Sequence, residues 1–247
     1  MKKLLTALLF IAFQAIEAQT ADEILNKYFE TTGGLTQWKA LKSLKMEGDM
    51  TMQQGSFAIT IYRKAPDKFK VVLNVMGQEL IPQAYDGETG WMVNPFAGAS
   101  NPEKLTEEQV KALKNQADFE DPFIEYKSKG YEATYEGMAD VEGTSCHVVK
   151  LVRNKGVAGL EVSASYYFDP ASGLQVMIRQ SNADTGGQEV EIHLSDYQDA
   201  GNGLLMPFVM DTRLEGQSLQ KIVFKKMGVN ADIADSEFTF PAAPAVN

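Results

Sequence analysis

Between Leu44 and Phe96, apolar and polar residues alternate in short runs separated by turn residues, which limits this part of the chain to a sheet with one greasy face. Leu44, Met46, Met50 and Met52 fall on one side of the first run, while Lys45, Glu47, Asp49 and Thr51 fall on the other. Successive side chains of a strand point to opposite faces, so a run of this kind is a half-buried strand. Phe57, Ile59 and Ile61 repeat the pattern, as do Phe69, Val71, Leu73 and Val75. Gln54-Gly55-Ser56, Pro66-Asp67 and Gly77-Gln78 punctuate the runs as turns. The predicted product is a curved antiparallel sheet whose apolar face needs a cover.

Further strands are predicted over 131–139, 144–153, 160–168, 174–182, 188–197, 206–214 and 219–227. Asp169-Pro170-Ala171-Ser172-Gly173 and Gly186-Gly187 join neighbours as hairpins, and no connection leaves room for parallel crossovers. Four or five strands before residue 101 and about seven after 130 make one strongly curved or nearly closed sheet. Helices flank it. Thr20-Ala21-Asp22-Glu23 has the capping-box pattern, followed by the stripe Ile24, Leu25, Tyr28 and Phe29 and a stop at Gly33-Gly34. A short second helix spans roughly 35–41 and carries Trp38. Asn101-Pro102 opens an insertion, read as helical, that ends at Gly130. Thr106 caps its helix over 107–115, and Val110, Leu113, Ala117, Phe119, Pro122, Phe123 and Tyr126 form an apolar ridge. This ridge either seals a solid core or covers a lipid-sized cavity, and periodicity alone does not choose between them.

Lys2 and Lys3 precede the apolar run 4–16, and Ala18 offers a cleavage site before Gln19. Residues 1–18 thus read as an export signal rather than a membrane anchor, leaving 19–247 as one expected domain. A net charge of −10 without basic clusters argues against nucleic acid and against an anionic membrane as standing partners. The single cysteine, Cys146, alternates with Val148 and reads as a buried thiol. His147 and His193 sit in separate strands without metal-site spacing, so no metal and no cofactor is expected. Asp86 and Glu88 lie in Asp-Gly-Glu-Thr-Gly, which reads first as a hairpin turn. Asp118, Glu120 and Asp121 lack the ladder of a calcium loop. Neither a phosphate loop nor a Gly-x-Ser-x-Gly elbow occurs, and no catalytic residue is nominated.

Three segments carry a resemblance. Asp86-Gly87, Thr89, Trp91 and Asn94-Pro95-Phe96 resemble the Asp-Gly-x-Thr-x-Trp and Asn-Pro-Phe of LolA, the periplasmic lipoprotein carrier family. Residues 61–69, Ile-Tyr-Arg-Lys-Ala-Pro-Asp-Lys-Phe, are similar to that family's aromatic-x-Lys-Arg-Pro-x-x-Phe strand pair. Glu237-Phe238-Thr239-Phe240 resembles its closing segment. The resemblance implies an α+β protein, mainly β: an unclosed antiparallel half-barrel with a helical lid over its concave face. It also implies a periplasmic monomer without a permanent membrane anchor, which binds lipoprotein acyl chains or lipid. Such a carrier receives its cargo from an inner-membrane release complex and passes it to an outer-membrane acceptor. A lipid-sensing regulator of the RseB type, or a carrier of another lipid or glycolipid, remains open beside that reading. The acyl cavity is expected to be lined by Met46, Met50, Met52, Ile59, Ile61, Phe69, Val71, Leu73, Trp91 and Val93, under a lid of Val110, Leu113, Phe119 and Phe123. The family's lid-holding arginine falls at Ala65 here, with Arg63 and Lys64 beside it.

Overall fold

A computed structural model describes residues 19–94, 99–157, 161–181 and 187–241, with backbone alone at 99, 100 and 115. The expected export signal and Pro95-Phe96 lie outside the described residues. The first meander comprises β1 (Ser43–Met52), β2 (Gly55–Lys64), β3 (Lys68–Val75), β4 (Gln78–Tyr85), β5 (Gly90–Asn94) and β6 (Ala99–Lys104). The second comprises β7 (Glu132–Val141), β8 (Thr144–Arg153), β9 (Val162–Phe168), β10 (Gln175–Ser181), β11 (Glu189–Asp199), β12 (Leu205–Leu214) and β13 (Gln217–Val229). Strand β13 returns to pair with β1, giving one antiparallel sheet in the order β6 through β1, then β13 back through β7. Its edges, β6 and β7, do not pair with each other, so the half-barrel stays unclosed.

Two sequence expectations shift. Residues 99–104 are not helical: they form β6, paired with β5 through Trp91–Lys104, Met92–Glu103 and Asn94–Ala99. Pro102 reads in sequence as a helix opener, but an edge strand tolerates proline because one side of its ladder is unpaired. Helix α3 (Glu107–Ala117) then begins at the expected cap, Thr106, whose hydroxyl accepts from the Gln109 amide. The 118–130 stretch that follows is a chain of turns rather than a helix.

The N-terminal helices close one end of the half-barrel. In α1 (Ala21–Thr31) the Thr20 hydroxyl and the Glu23 carboxylate each accept the other residue's backbone N–H. The buried stripe Ile24, Leu25, Tyr28 and Phe29 packs with Val149, Leu151, Tyr166 and Phe168. Between α1 and α2 (Leu35–Lys39), Gly33 has φ +111° and lies where a Cβ would come within 2.3 Å of the Gly203 carbonyl oxygen. A side chain there would push the helix pair off the β11–β12 turn. A second close approach bends the sheet: β1 bulges at Glu47/Gly48 against β13, where a Gly48 Cβ would lie 2.2 Å from the Val223 carbonyl oxygen.

The outer face of β1–β6 is strapped by the C-terminal segment. Ser43 Oγ donates to Ala231 O, and Lys64 and Lys68 both pair with Asp235. Trp91 Nε1 donates to Phe238 O at 2.6 Å, and the Phe240 ring meets Trp91 edge-on. Phe238, in the segment that resembles the carriers' closing motif, is fully buried. No helix among the described residues is long and apolar enough to cross a membrane.

Candidate functional site

The covered inner face carries the residues that the alternation placed together. Met46, Met50, Met52, Ile59, Ile61, Phe69, Val71 and Leu73 all lie on it, in one apolar cluster. Cross-strand partners set that face: Met46 opposes Ile61, Ile61 opposes Val71, and Ile59 opposes Leu73. The other meander adds Met206, Phe208, Met210, Ile222 and Phe224 to the same cluster. Sequence reasoning does not nominate these five. Their alternation is legible, but only the β1–β13 pairing, in which Met50 opposes Ile222, brings them to this surface.

Trp91 and Val93 do not join the lining. Tyr85 faces inward and opposes Gly90, so Trp91, one residue on, points to the outer face. There it clusters with Ile81, Ala84, Val72, Val93 and Phe240. The sequence expectation puts these two residues on the lining, and strand parity puts them on the outer face.

The lining is only partly sealed. Met50 and Ile59 are 4% and 3% exposed, whereas Met46, Met52, Phe57, Ile61, Phe69 and Met210 on the same face remain half-buried. Among them, Met52, Phe57 and Met210 lie toward the hairpin ends opposite the α1–α2 closure. Methionine suits such a surface, because its unbranched, polarizable chain adapts to varied apolar shapes.

The insertion lies over this face at three places. Leu113 and Ala117 of α3 pack on Tyr85, and Val110 approaches Gly90 so closely that a Cβ there would sit 3.0 Å from its Cγ2. Phe119 joins the main lining, and its amide donates to Pro66 O at 3.1 Å. Phe123 belongs to the neighbouring cluster, with its ring 4.7 Å from that of Tyr166 at 70°. The four nominated lid residues thus cover the inner face without forming one ridge.

Polar contacts hold the 118–127 segment down. Arg63 Nη2 donates to the Asp118 carbonyl, and the guanidinium sits 5.7 Å from the centre of the Phe119 ring. From the other half of the sheet, Arg153 Nη1 lies 3.9 Å from the Asp118 carboxylate. The position aligned with the family's lid-holding arginine, Ala65, is exposed; the arginine two residues earlier reaches the segment instead. Burial pulls the Arg63 pKa below its usual value, with Asp118 opposing. Asp121 points its carboxyl inward: Oδ1 accepts from the Phe123 amide at 2.9 Å and Oδ2 from the Tyr28 hydroxyl at 3.1 Å. Desolvation outweighs those bonds and pushes Asp121 up to about 6. Burial likewise raises Tyr28 and pushes Tyr166 up to about 12. Tyr126 donates to Asp22 at 2.7 Å, and Lys39 pairs with Glu125 at 2.5 Å.

Asp86, both histidines and Cys146 have structural roles. Asp86 Oδ1 accepts from the amides of Glu88 and Thr89, which makes Asp-Gly-Glu-Thr-Gly a side-chain-capped turn. His147 Nδ1 meets Tyr135, and His193 Nε2 meets Glu191. Cys146 is buried, and desolvation raises its thiol pKa.

No protein-family model and no curated protein matches the chain. Solved structures do, over nearly its whole length. A DUF1329 family protein from Desulfovibrio piger superposes with a TM-score of 0.58 at 12% identity, over 89% of this chain and 95% of that one. A putative outer membrane lipoprotein-sorting protein domain from Vibrio parahaemolyticus gives 0.56 at 12% identity, over 88% and 97%. A LolA superfamily protein from Nitrosomonas europaea gives 0.54 at 13% identity, over 90% and 98%. At such identities the likeness concerns the fold. The chain has the fold of the LolA superfamily: an unclosed antiparallel half-barrel with helices laid against its inner face.

Proposed function

We propose that this protein is a periplasmic carrier that takes up acyl chains, of a lipoprotein or of a free lipid, on the inner face of its half-barrel. The observation that carries the reading is the continuous apolar surface from Met46 to Leu73, joined by Met206 to Met210, which stays half-buried in places beneath a cover that rests on it through Phe119 and on polar contacts to Arg63 and Tyr28. A buried methylene contributes ~0.8 kcal/mol, so a chain moving from water to this surface is held without covalent chemistry. Phe119 packs on the same surface, so cover and ligand compete for it, and displacing the cover offsets part of the binding energy. That competition keeps the carrier's hold moderate enough for hand-over. The LolA-like fold, the leader-like residues 1–18 and the likeness to a lipoprotein-sorting domain support a place between an inner-membrane donor and an outer-membrane acceptor. Displacement of a fluorescent fatty acid tests the reading: Met50→Asp should weaken acyl binding strongly, whereas Thr51→Asp on the opposite face should not. Equal losses at both positions, after correction for stability, would refute an acyl site on the inner face.

A further inference from the structure

The inner face carries one feature that an acyl-chain surface alone does not need: two arginines converging on a single residue of the cover. Arg63 of β2 and Arg153 of β8 come from opposite halves of the sheet, and both address Asp118, one through its carbonyl and the other toward its carboxylate. Neither is a loose surface cation. The Arg63 guanidinium is enclosed and lies over the Phe119 ring, and the Arg153 side chain is only 17% exposed. Among the described residues, Arg63 Nε is the one buried side-chain polar atom left without a hydrogen-bond partner. A guanidinium stays charged and offers five donors suited to a carboxylate or phosphate, so a single carbonyl leaves most of that capacity unused.

Asp118 and Phe119 belong to the segment that must lift if an acyl chain is to take the place of Phe119 on the lining. Once they lift, Arg63 and Arg153 lose their shared partner and border the uncovered lining. A buried cation left unpaired is strongly unfavourable, so an incoming ligand that brings its own anion restores what the cover supplied. A neutral ligand leaves the pair unmet. We propose that the uncovered inner face selects an amphiphile with a single anionic head, a carboxylate or a phosphate, which binds Arg63 and Arg153 in place of Asp118. This rests on the carrier reading above and specifies its cargo. An acylated protein N-terminus presents esters and amides with no free anion, so the arginine pair favours a free anionic lipid over it.

The test compares ligands of one chain length on the full exported protein: dodecanoate, dodecyl phosphate and the neutral monododecanoylglycerol, each displacing a fluorescent acyl probe, with inorganic phosphate as a head group alone. Hydrogen bonds to a charged partner suggest a preference of roughly ten- to a hundredfold for the anionic ligands. Dodecanoate and dodecyl phosphate separate a carboxylate head from a phosphate head. Arg63→Gln with Arg153→Gln should bring the anionic-to-neutral affinity ratio close to one, and Lys225→Gln on the outer face should leave it at the wild-type value. Asp118→Asn removes the competing carboxylate while keeping the fold and should raise the ratio. Equal wild-type affinity for charged and neutral ligands would overturn the proposal while leaving the carrier intact. So would a preference that survives the double substitution, or one that Asp118→Asn does not raise. Inorganic phosphate competing as well as dodecyl phosphate would mark a small-anion site and overturn the amphiphile. Failure of every acyl ligand to bind would remove the carrier reading itself.

Discussion

Asp121 shows how one side chain can link the cover to the solvent. Its carboxyl lies between Tyr28 and the Phe123 amide, and burial lifts its pKa to about 6, above the ordinary value of 3.8. The folded state therefore binds more protons than the unfolded state between those two values, and stability rises as pH falls through that window. The shift corresponds to an upper bound of about 3 kcal/mol, fully available only below the unfolded pKa. Denaturant unfolding from pH 7.5 to pH 4 should therefore show a rising contribution from this group, and Asp121→Asn should flatten the profile. An unchanged profile in the variant would place the titrating group elsewhere. Trp91 supplies a second test at this scale. Its indole is 2% exposed on the outer face and donates to Phe238, so Trp91→Ala should cost about 3–5 kcal/mol by loosening the C-terminal strap. Acyl affinity per folded molecule should stay at the wild-type value. A selective loss of acyl binding would return Trp91 to the lining expected from the sequence.

At the scale of elements, the sequence is most legible where local physics dominates. The Thr20 and Thr106 caps and the alternation in β1, β2 and β3 all appear as expected, because each depends on residues a few positions apart. Strand β6 escapes a sequence reading because Pro102 resembles a helix opener until an edge position makes it harmless. Trp91 is hard to place because a turn and a bulge in β4, between Ile81 and Ala84, intervene before its parity can be counted from β3. The second meander's share of the lining stays hidden for a different reason: Phe208 and Ile222 reach it only through a pairing between residues far apart in the chain. The cover offers the sharpest test at this scale. Truncating a large side chain in a permanent core costs ~2–5 kcal/mol. Leu113→Ala or Phe123→Ala should cost less if the cover already opens, and should hold acyl ligand at least as tightly because a competitor is weakened. Thermal unfolding alongside acyl displacement reads both. Full core-sized destabilisation with unchanged affinity would make these residues plain core.

Across the whole molecule, the two meanders meet at β1 and β13 but leave β6 and β7 unpaired with each other, so the half-barrel keeps an open side that a closed barrel would lack. The α1–α2 pair closes one end, the C-terminal strap seals the outer face of β1–β6, and the 118–127 segment bridges the inner face through Arg63, Arg153 and Tyr28. That bridge reaches the methionine-rich lining through Phe119 and the neighbouring cluster through Phe123 and Ile124, alongside its polar contacts. The central claim is that this inner face exists to hold acyl chains. Native mass spectrometry of the protein exported to the periplasm and purified without detergent tests it most directly. The expected spectrum contains a population carrying an added lipid or acylated-protein mass, which Met50→Asp depletes. A wholly bare protein that also fails to take up added acyl ligand would contradict it.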